Sequence, residues 1–220
     1  MTTRVLLGLI ALIVAVGVIF ALLPDIDLAV SHSLYDHGGF AGAGKAAHIA
    51  RDVFRIGPFV VLAVYLIGYA YNRWGGGAAR WAPDGRGVVF LVASLAIGSG
   101  LIVNLGMKDH LHRPRPVHTQ DFGGSDEFRP WYRFDGACVK NCGFSSGEAS
   151  SGFWMVAPAL LVPPPWRGAA VAGALAFGAA ASALRVAYGA HYLSDVLFGG
   201  LISLIVVFAI RRLLWPRGAP

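Results

Sequence analysis

Arg185-Val-Ala-Tyr-Gly-Ala-His-Tyr-Leu-Ser-Asp195 brings a guanidinium, an imidazole and a carboxylate into one short stretch. His191 and Asp195 are four residues apart, so on a helix they share a face. Asp195 would then hold one ring nitrogen of His191 and leave the other free, as an orienting acid does for a catalytic base or nucleophile. A second stretch, Cys142-Gly-Phe-Ser-Ser-Gly-Glu-Ala-Ser150, puts hydroxyls, a glycine and a carboxylate at the mouth of an apolar run. Backbone N–H groups at a helix start there, with Ser145, Ser146 and Gly147, would form an anion site. The third, Lys108-Asp-His-Leu-His-Arg-Pro-Arg-Pro116, clusters Lys108, Arg113 and Arg115 with prolines that stiffen the chain. Alone, that cluster reads as a patch for lipid headgroups. Together the three stretches suit phosphoryl transfer: cations hold the equatorial oxygens, a nucleophile attacks in line and an acid protonates the leaving group. There is no Walker A loop, and nothing in the sequence requires a metal or another cofactor.

These residues must be positioned by a chain that is 56% hydrophobic and only 14% charged, with a mean hydropathy of +0.61. Such a composition belongs to a polytopic membrane protein rather than to a soluble bundle of oily helices. Six apolar stretches stand out: Val5–Leu23, Ile56–Tyr71, Val88–Met107, Ala149–Val162, Gly168–Leu184 and Val196–Ile210. The expectation is an all-α fold, a single domain over residues 1–220 with six transmembrane helices. A span needs roughly 20 apolar residues. The fourth stretch is short and contains Pro158, so it qualifies only if flanking residues such as Phe144 extend it. The first could be a signal peptide behind Arg4. Its run is longer than a typical signal core and no A-x-A site follows, which favours an anchor. The fifth is rich in Gly and Ala, as in a tightly packed interior helix.

A formal charge of +6 would suggest nucleic acid in a soluble protein; here its distribution matters more. With a cytoplasmic N-terminus and six crossings, the inner side holds Arg4, Arg73, Arg80, Arg86, Arg167, Arg211, Arg212 and Arg217 against one acid, Asp84. The short inner loops, punctuated by Gly75-Gly-Gly77 and Pro163-Pro-Pro165, are basic, as the positive-inside rule asks. Both termini would be cytoplasmic. The loop over residues 108–146 would lie outside, where Cys138 and Cys142 could form a disulfide; metal binding is the rival for that pair. All three chemical stretches fall on that same outer side.

Lys108-x6-Arg115-Pro116, Ser146-Gly147-Glu148 and Arg185-x5-His191-x3-Asp195 together resemble the signature of the type 2 phosphatidic acid phosphatase (PAP2) superfamily. That family's pattern is K-x6-R-P, P-S-G-H and S-R-x5-H-x3-D. The resemblance implies that His191 is the nucleophile, forming a phosphohistidine, and that Asp195 orients it. It implies phosphate binding by Lys108, Arg115, Arg185, Ser146 and Gly147, and places Glu148 where the family has its general acid. The sequence departs from the pattern at Ser145 for Pro, Leu184 for Ser and Glu148 for His. Glu148 could donate a proton once phosphate has neutralised the nearby cations, act as base for water, or pair with those cations in the empty site.

The implied protein is a lipid-phosphate phosphatase of a bacterial inner membrane, its site open to the periplasm. Candidate substrates are lipid A phosphate, undecaprenyl diphosphate, phosphatidylglycerol phosphate and phosphatidate. A phosphotransferase passing the group to a second lipid, or a silent lipid-binding or transport protein, are the rivals. The expected partners are the bilayer and the lipid phosphate, without nucleic acid. His32, His37, His48, His110, His112 and His118 read as interfacial or structural residues rather than ligands. Trp131, Tyr132 and Trp154 read as residues of an aromatic interface belt, and Trp131 and Tyr132 could also touch a lipid headgroup.

Overall fold

The computed structural model describes residues 2–42, 44–76 and 79–216, so Gly77 and Arg217 lie outside the described residues. Helix α1 (Thr2–Leu22) stops just before Pro24, and α2 (Asp25–His32) follows at once. A minimal hairpin comes next, β1 (Tyr35–Asp36) against β2 (Gly39–Phe40), turning through His37 and Gly38 at φ 47° and 80°. Positive φ at both central residues is what a two-residue hairpin turn of matching twist demands. α3 (Lys45–Trp74) accommodates Pro58 in its interior and ends at Gly75. α4 (Gly85–Leu95) is capped by the Asp84 carboxylate, which accepts from the Gly87 amide at 2.8 Å, and continues as a π-helix over Ala96–Met107. After the long loop come α5 (Gly147–Trp154), α6 (Val156–Ala159), α7 (Pro164–Ala187) and α8 (Leu193–Leu214). The protein is mostly helical; the hairpin is the part that an all-α expectation leaves out.

Five helical segments are long and apolar enough to cross a bilayer: Thr3–Leu22, Lys45–Trp74, Gly85–Met107, Pro164–Ala187 and Leu193–Leu214. The expected fourth span takes a different form. α5 and α6 are short, broken at Met155, and together reach about 20 Å along their axis at about 1.5 Å per residue, against a hydrocarbon core of about 30 Å. The physical reason is their place in the fold. Ala149, Ser150, Trp154, Val156 and Ala157 are buried, enclosed by the other helices. A segment shielded by protein need not present an unbroken apolar helix to lipid.

Trp154 shows the same thing at one residue. It is no belt residue: it is fully buried, and its indole Nε1 donates to Ser94 Oγ at 2.8 Å. Trp131 also turns inward, donating to the Gly17 carbonyl of α1 at 3.2 Å and packing on Phe198 and Phe144. Tyr132 remains exposed. α5 fits between α7 and α8 because Phe153 wedges over two glycines. A Cβ at Gly178 or Gly200 would come within 2.8 or 2.5 Å of its ring. The small residues of α7 thus serve close helix approach.

The loop from Lys108 to Ser146 is tied down along its length. Cys138 and Cys142 are joined as a disulfide. The Cys142 amide donates to the Lys108 carbonyl at 3.1 Å, the Gly143 amide to the Arg113 carbonyl at 2.8 Å, and the His112 ring meets the Cys138 carbonyl at 2.9 Å. The segment before α5 is therefore laid against the basic segment after the π-helix. That pairing brings the second and third chemical stretches, Cys142–Ser150 and Lys108–Pro116, together.

Candidate active site

Four elements converge at one end of the bundle. Lys108 follows the last turn of the π-helix, Ser146 starts α5, Arg185 lies in the last turn of α7, and His191 sits in the turn before α8. α8 docks directly onto the α5 start: the Ser146 amide donates to the Asp195 carbonyl at 3.0 Å. Ser146 Oγ caps α5 by accepting from the Ala149 amide at 3.3 Å. The first amides of α5, from Gly147 onward, have no intrahelical acceptor and form its positive end. Asn104 closes on this point, since a Cβ at Gly147 would lie 2.5 Å from its Oδ1.

His191 is not on a helix with Asp195, as the four-residue spacing suggested. Its Nδ1 is 2.7 Å from the Gly143 carbonyl oxygen and 3.7 Å from Asp195 Oδ2. The carbonyl accepts a proton on Nδ1, which leaves Nε2 with its lone pair. At 3.7 Å the carboxylate acts through charge rather than a hydrogen bond. Burial pushes the His191 pKa down to about 4; Asp195 opposes this, while Arg185 and Arg115 add to it. The imidazole is neutral at physiological pH and suited to nucleophilic attack.

The cations differ in how they are held. Arg185 is nearly buried, its Nε has no hydrogen-bond acceptor among the described residues, and Glu148 Oε2 lies 3.5 Å away. Arg115 donates from Nη2 to both the carbonyl and Oδ1 of Asn141, at 2.8 and 3.0 Å. Burial lowers its pKa from the usual arginine value. Lys108 is pushed down to about 8, by burial first and then by Arg115 and Arg185 nearby. Concentrated, partly desolvated positive charge of this kind favours an arriving phosphate dianion.

Three residues of the site lie outside what the sequence reading assigned. Arg51, on α3, donates to Glu148 Oε1 from Nε at 3.3 Å and Nη2 at 3.2 Å. Arg113 belongs to the basic stretch but turns into the protein: it is fully buried and paired to Asp195 Oδ1 and to Asp27 Oδ2. Burial opposes its charge, yet the two carboxylates outweigh burial and raise its pKa. Asp27, on α2, carried no sequence signal beyond being an acid near the end of an apolar helix.

The chain belongs to the PAP2 superfamily, which residues 87–219 match. It is a membrane phosphatase of that class. Among its relatives is the lipid A 4'-phosphatase of Rhizobium leguminosarum, 38% identical over 179 residues, covering 80% of this chain and 76% of the relative. The lipid A 4'-phosphatase of Rhizobium etli is 35% identical over 89% of this chain and 81% of its own length. That of Francisella tularensis subsp. novicida is 30% identical and covers 97% of both chains. No solved structure matches the chain significantly.

Proposed function

We propose that the protein hydrolyses a phosphomonoester of a lipid A-type substrate, releasing phosphate, through a phosphohistidine formed on His191. The observation that carries this reading is the buried Arg185 Nε, which has an ion pair to Glu148 at 3.5 Å but no hydrogen bond among the described residues, set beside a neutral imidazole whose Nδ1 is already engaged. A buried donor left without a hydrogen bond is costly, and a phosphate oxygen would complete it. In this scheme Lys108, Arg115, Arg185, the Ser146 hydroxyl and the Gly147 amide hold the phosphate oxygens. Asp195 stabilises the charged ring that forms on attack, and Glu148 serves the leaving group or the hydrolytic water. No metal is needed for these roles.

The lipid A assignment draws on the three relatives, each named for that substrate over most of its length. An apolar groove of about 780 Å³ adds support for an acylated substrate: Phe54, Phe153, Ala183, Val186 and Leu197 line it, Phe54 one turn from Arg51 and Val186 next in sequence to Arg185. The topology that fits is six crossings, α5 and α6 forming the fourth, with both termini cytoplasmic and the site on the periplasmic face of the inner membrane. The charge asymmetry of the loops supports that orientation.

Purified protein offered lipid A, phosphatidate, phosphatidylglycerol phosphate and undecaprenyl diphosphate should release phosphate fastest from lipid A. His191→Ala should abolish release while the protein stays folded, and wild-type enzyme quenched during turnover should carry acid-labile phosphate. Normal turnover by His191→Ala overturns the nucleophile. Faster release from another lipid overturns the substrate, and phosphate appearing on a second lipid instead of in water makes the protein a phosphotransferase.

A further inference from the structure

Asp27 is removed from solvent, and no step above uses it. Its carboxylate meets three donors: Arg113 Nη2 at 2.8 Å, Ser194 Oγ at 2.6 Å and the Ser194 amide at 2.8 Å. Burial raises the Asp27 pKa and Arg113 opposes that; three donors and no acceptor fit the carboxylate form. The Ser194 amide lies in the first turn of α8, so α2 caps the helix that carries Asp195. Arg113 divides its guanidinium between the two acids, with Nη1 on Asp195 Oδ1 and on Ser194 Oγ at 2.8 Å, and Nε on the Arg129 carbonyl at 2.7 Å. Its carbon stands 4.5 Å from the centre of the Tyr192 ring, which fixes the guanidinium plane.

The result is a buried chain Asp27–Arg113–Asp195 whose last carboxylate lies 3.7 Å from His191 Nδ1. Two carboxylates share one guanidinium, which leaves an excess of one negative charge behind the imidazole. Paired with Asp195 alone, Arg113 would cancel the charge that the ring feels. A buried ion triad is also a costly way merely to hold helices together, because apolar side chains of the same volume do so as well or better.

We propose that Asp27 is a positioning residue for phosphoryl transfer, acting through Arg113 and Ser194 to keep an uncancelled carboxylate aimed at His191. The inference rests on His191 as nucleophile. In that step the Nε2 lone pair forms the N–P bond while the P–O bond to the leaving group breaks. The electron pair departs on that oxygen, which takes a proton from the acid. The ring keeps its Nδ1 proton on the Gly143 carbonyl and becomes cationic. The chain's net negative charge stabilises that cation and has little to gain in the ground state, so its effect falls on kcat.

Asp27→Asn keeps the shape and removes the charge. It should lower kcat roughly ten- to hundredfold, a charge effect transmitted across one intervening residue, with KM little changed. Inhibition by inorganic phosphate, which needs only the outer cations, should hold. Inhibition by orthovanadate, which accepts the ring nitrogen in a five-coordinate adduct, should weaken by a factor like that in kcat. Ser194→Ala, which keeps every charge but removes the hydroxyl's bonds to Asp27 and Arg113, should give a smaller loss with the same split; it decides the matter if Asp27→Asn does not fold. Unchanged kcat, or phosphate and vanadate weakening in parallel, overturns the proposal. His191→Ala separates the two levels: if it is dead while folded Asp27→Asn turns over normally, only the inference on Asp27 falls, and if it is active the nucleophile itself is wrong.

Discussion

Arg51 and Glu148, 97 residues apart in sequence, meet through two donors on one carboxylate oxygen, at 3.3 and 3.2 Å. With Arg185 Nε 3.5 Å from the other oxygen, the carboxylate stands between two guanidiniums where a phosphate would compete for both. On the proposed mechanism, a dianion that wins those cations would free Glu148 beside the reacting bond. Glu148→Gln should therefore tighten inhibition by inorganic phosphate, because the arginines lose their internal counterion. Turnover of alkyl phosphomonoesters should fall about 10²-fold or more, the usual worth of a general acid, and diphosphates should suffer far less. Equal loss on both substrate types would assign Glu148 to activating water. Unchanged turnover on both would leave it as a counterion alone.

Lys108 makes the pH profile informative. With its pKa pushed down to about 8, the free enzyme loses the charge proposed to bind phosphate as pH rises through that value. His191, held at about 4, stays neutral across the same range and imposes no limb until strongly acid pH. kcat/KM should thus fall on the alkaline side with a midpoint near 8. Lys108→Arg, charged at any accessible pH, should carry less activity but lose that limb. A limb that persists in the variant would belong to another group.

The disulfide bears on the site through Asn141, which lies between the two cysteines and accepts from Arg115 twice. The ring it closes is small, so its entropic contribution to global stability is modest. Reduction, or Cys138→Ser with Cys142→Ser, should therefore raise KM several-fold with little change in Tm. Thiol labelling of the oxidised protein should be negligible. A large drop in Tm with unchanged KM would show that the bridge serves the fold instead.

Much of the candidate site was legible because its residues are local in sequence and unusual in type. Lys108, Arg115, Glu148, Arg185 and His191 stand in polar stretches at the ends of apolar runs, where a charged group calls for a reason. The partners that complete them were not legible. Arg51 is one basic residue on a helix that also carries Arg55 and Arg73, and Asp27 is one acid beside Asp25. Their contacts depend on how α2 and α3 pack, which no spacing encodes. Arg113 was visible but misplaced, since composition counts a cation without saying which way it points. The broken α5–α6 segment was half legible: Pro158 and the short run flagged it, while its burial at the bundle centre explains why the break is tolerated.

Gly199 tests how closely the two halves of the site depend on each other. It lies on α8 against the start of α5, and a Cβ there would come 2.5 Å from the Ser146 carbonyl oxygen. In an unconstrained helix, Gly→Ala stabilises by roughly 0.5–1 kcal/mol. Here the contact is with backbone, which cannot swing aside as a flexible side chain would, so overpacking decides the sign. Gly199→Ala should cost about 1–3 kcal/mol in stability. The strain would fall on the Ser146 amide, whose bond to the Asp195 carbonyl joins α5 to α8. Moving that junction shifts Ser146 and Gly147 relative to His191, so folded variant should also lose turnover, with both KM and kcat affected. Gly98→Ala is the control: its Cβ would meet Val206 at 3.5 Å, an ordinary contact with none of the candidate-site residues, and should leave activity intact. Equal behaviour of the two variants would mean that helix propensity, not the α5–α8 junction, sets the response.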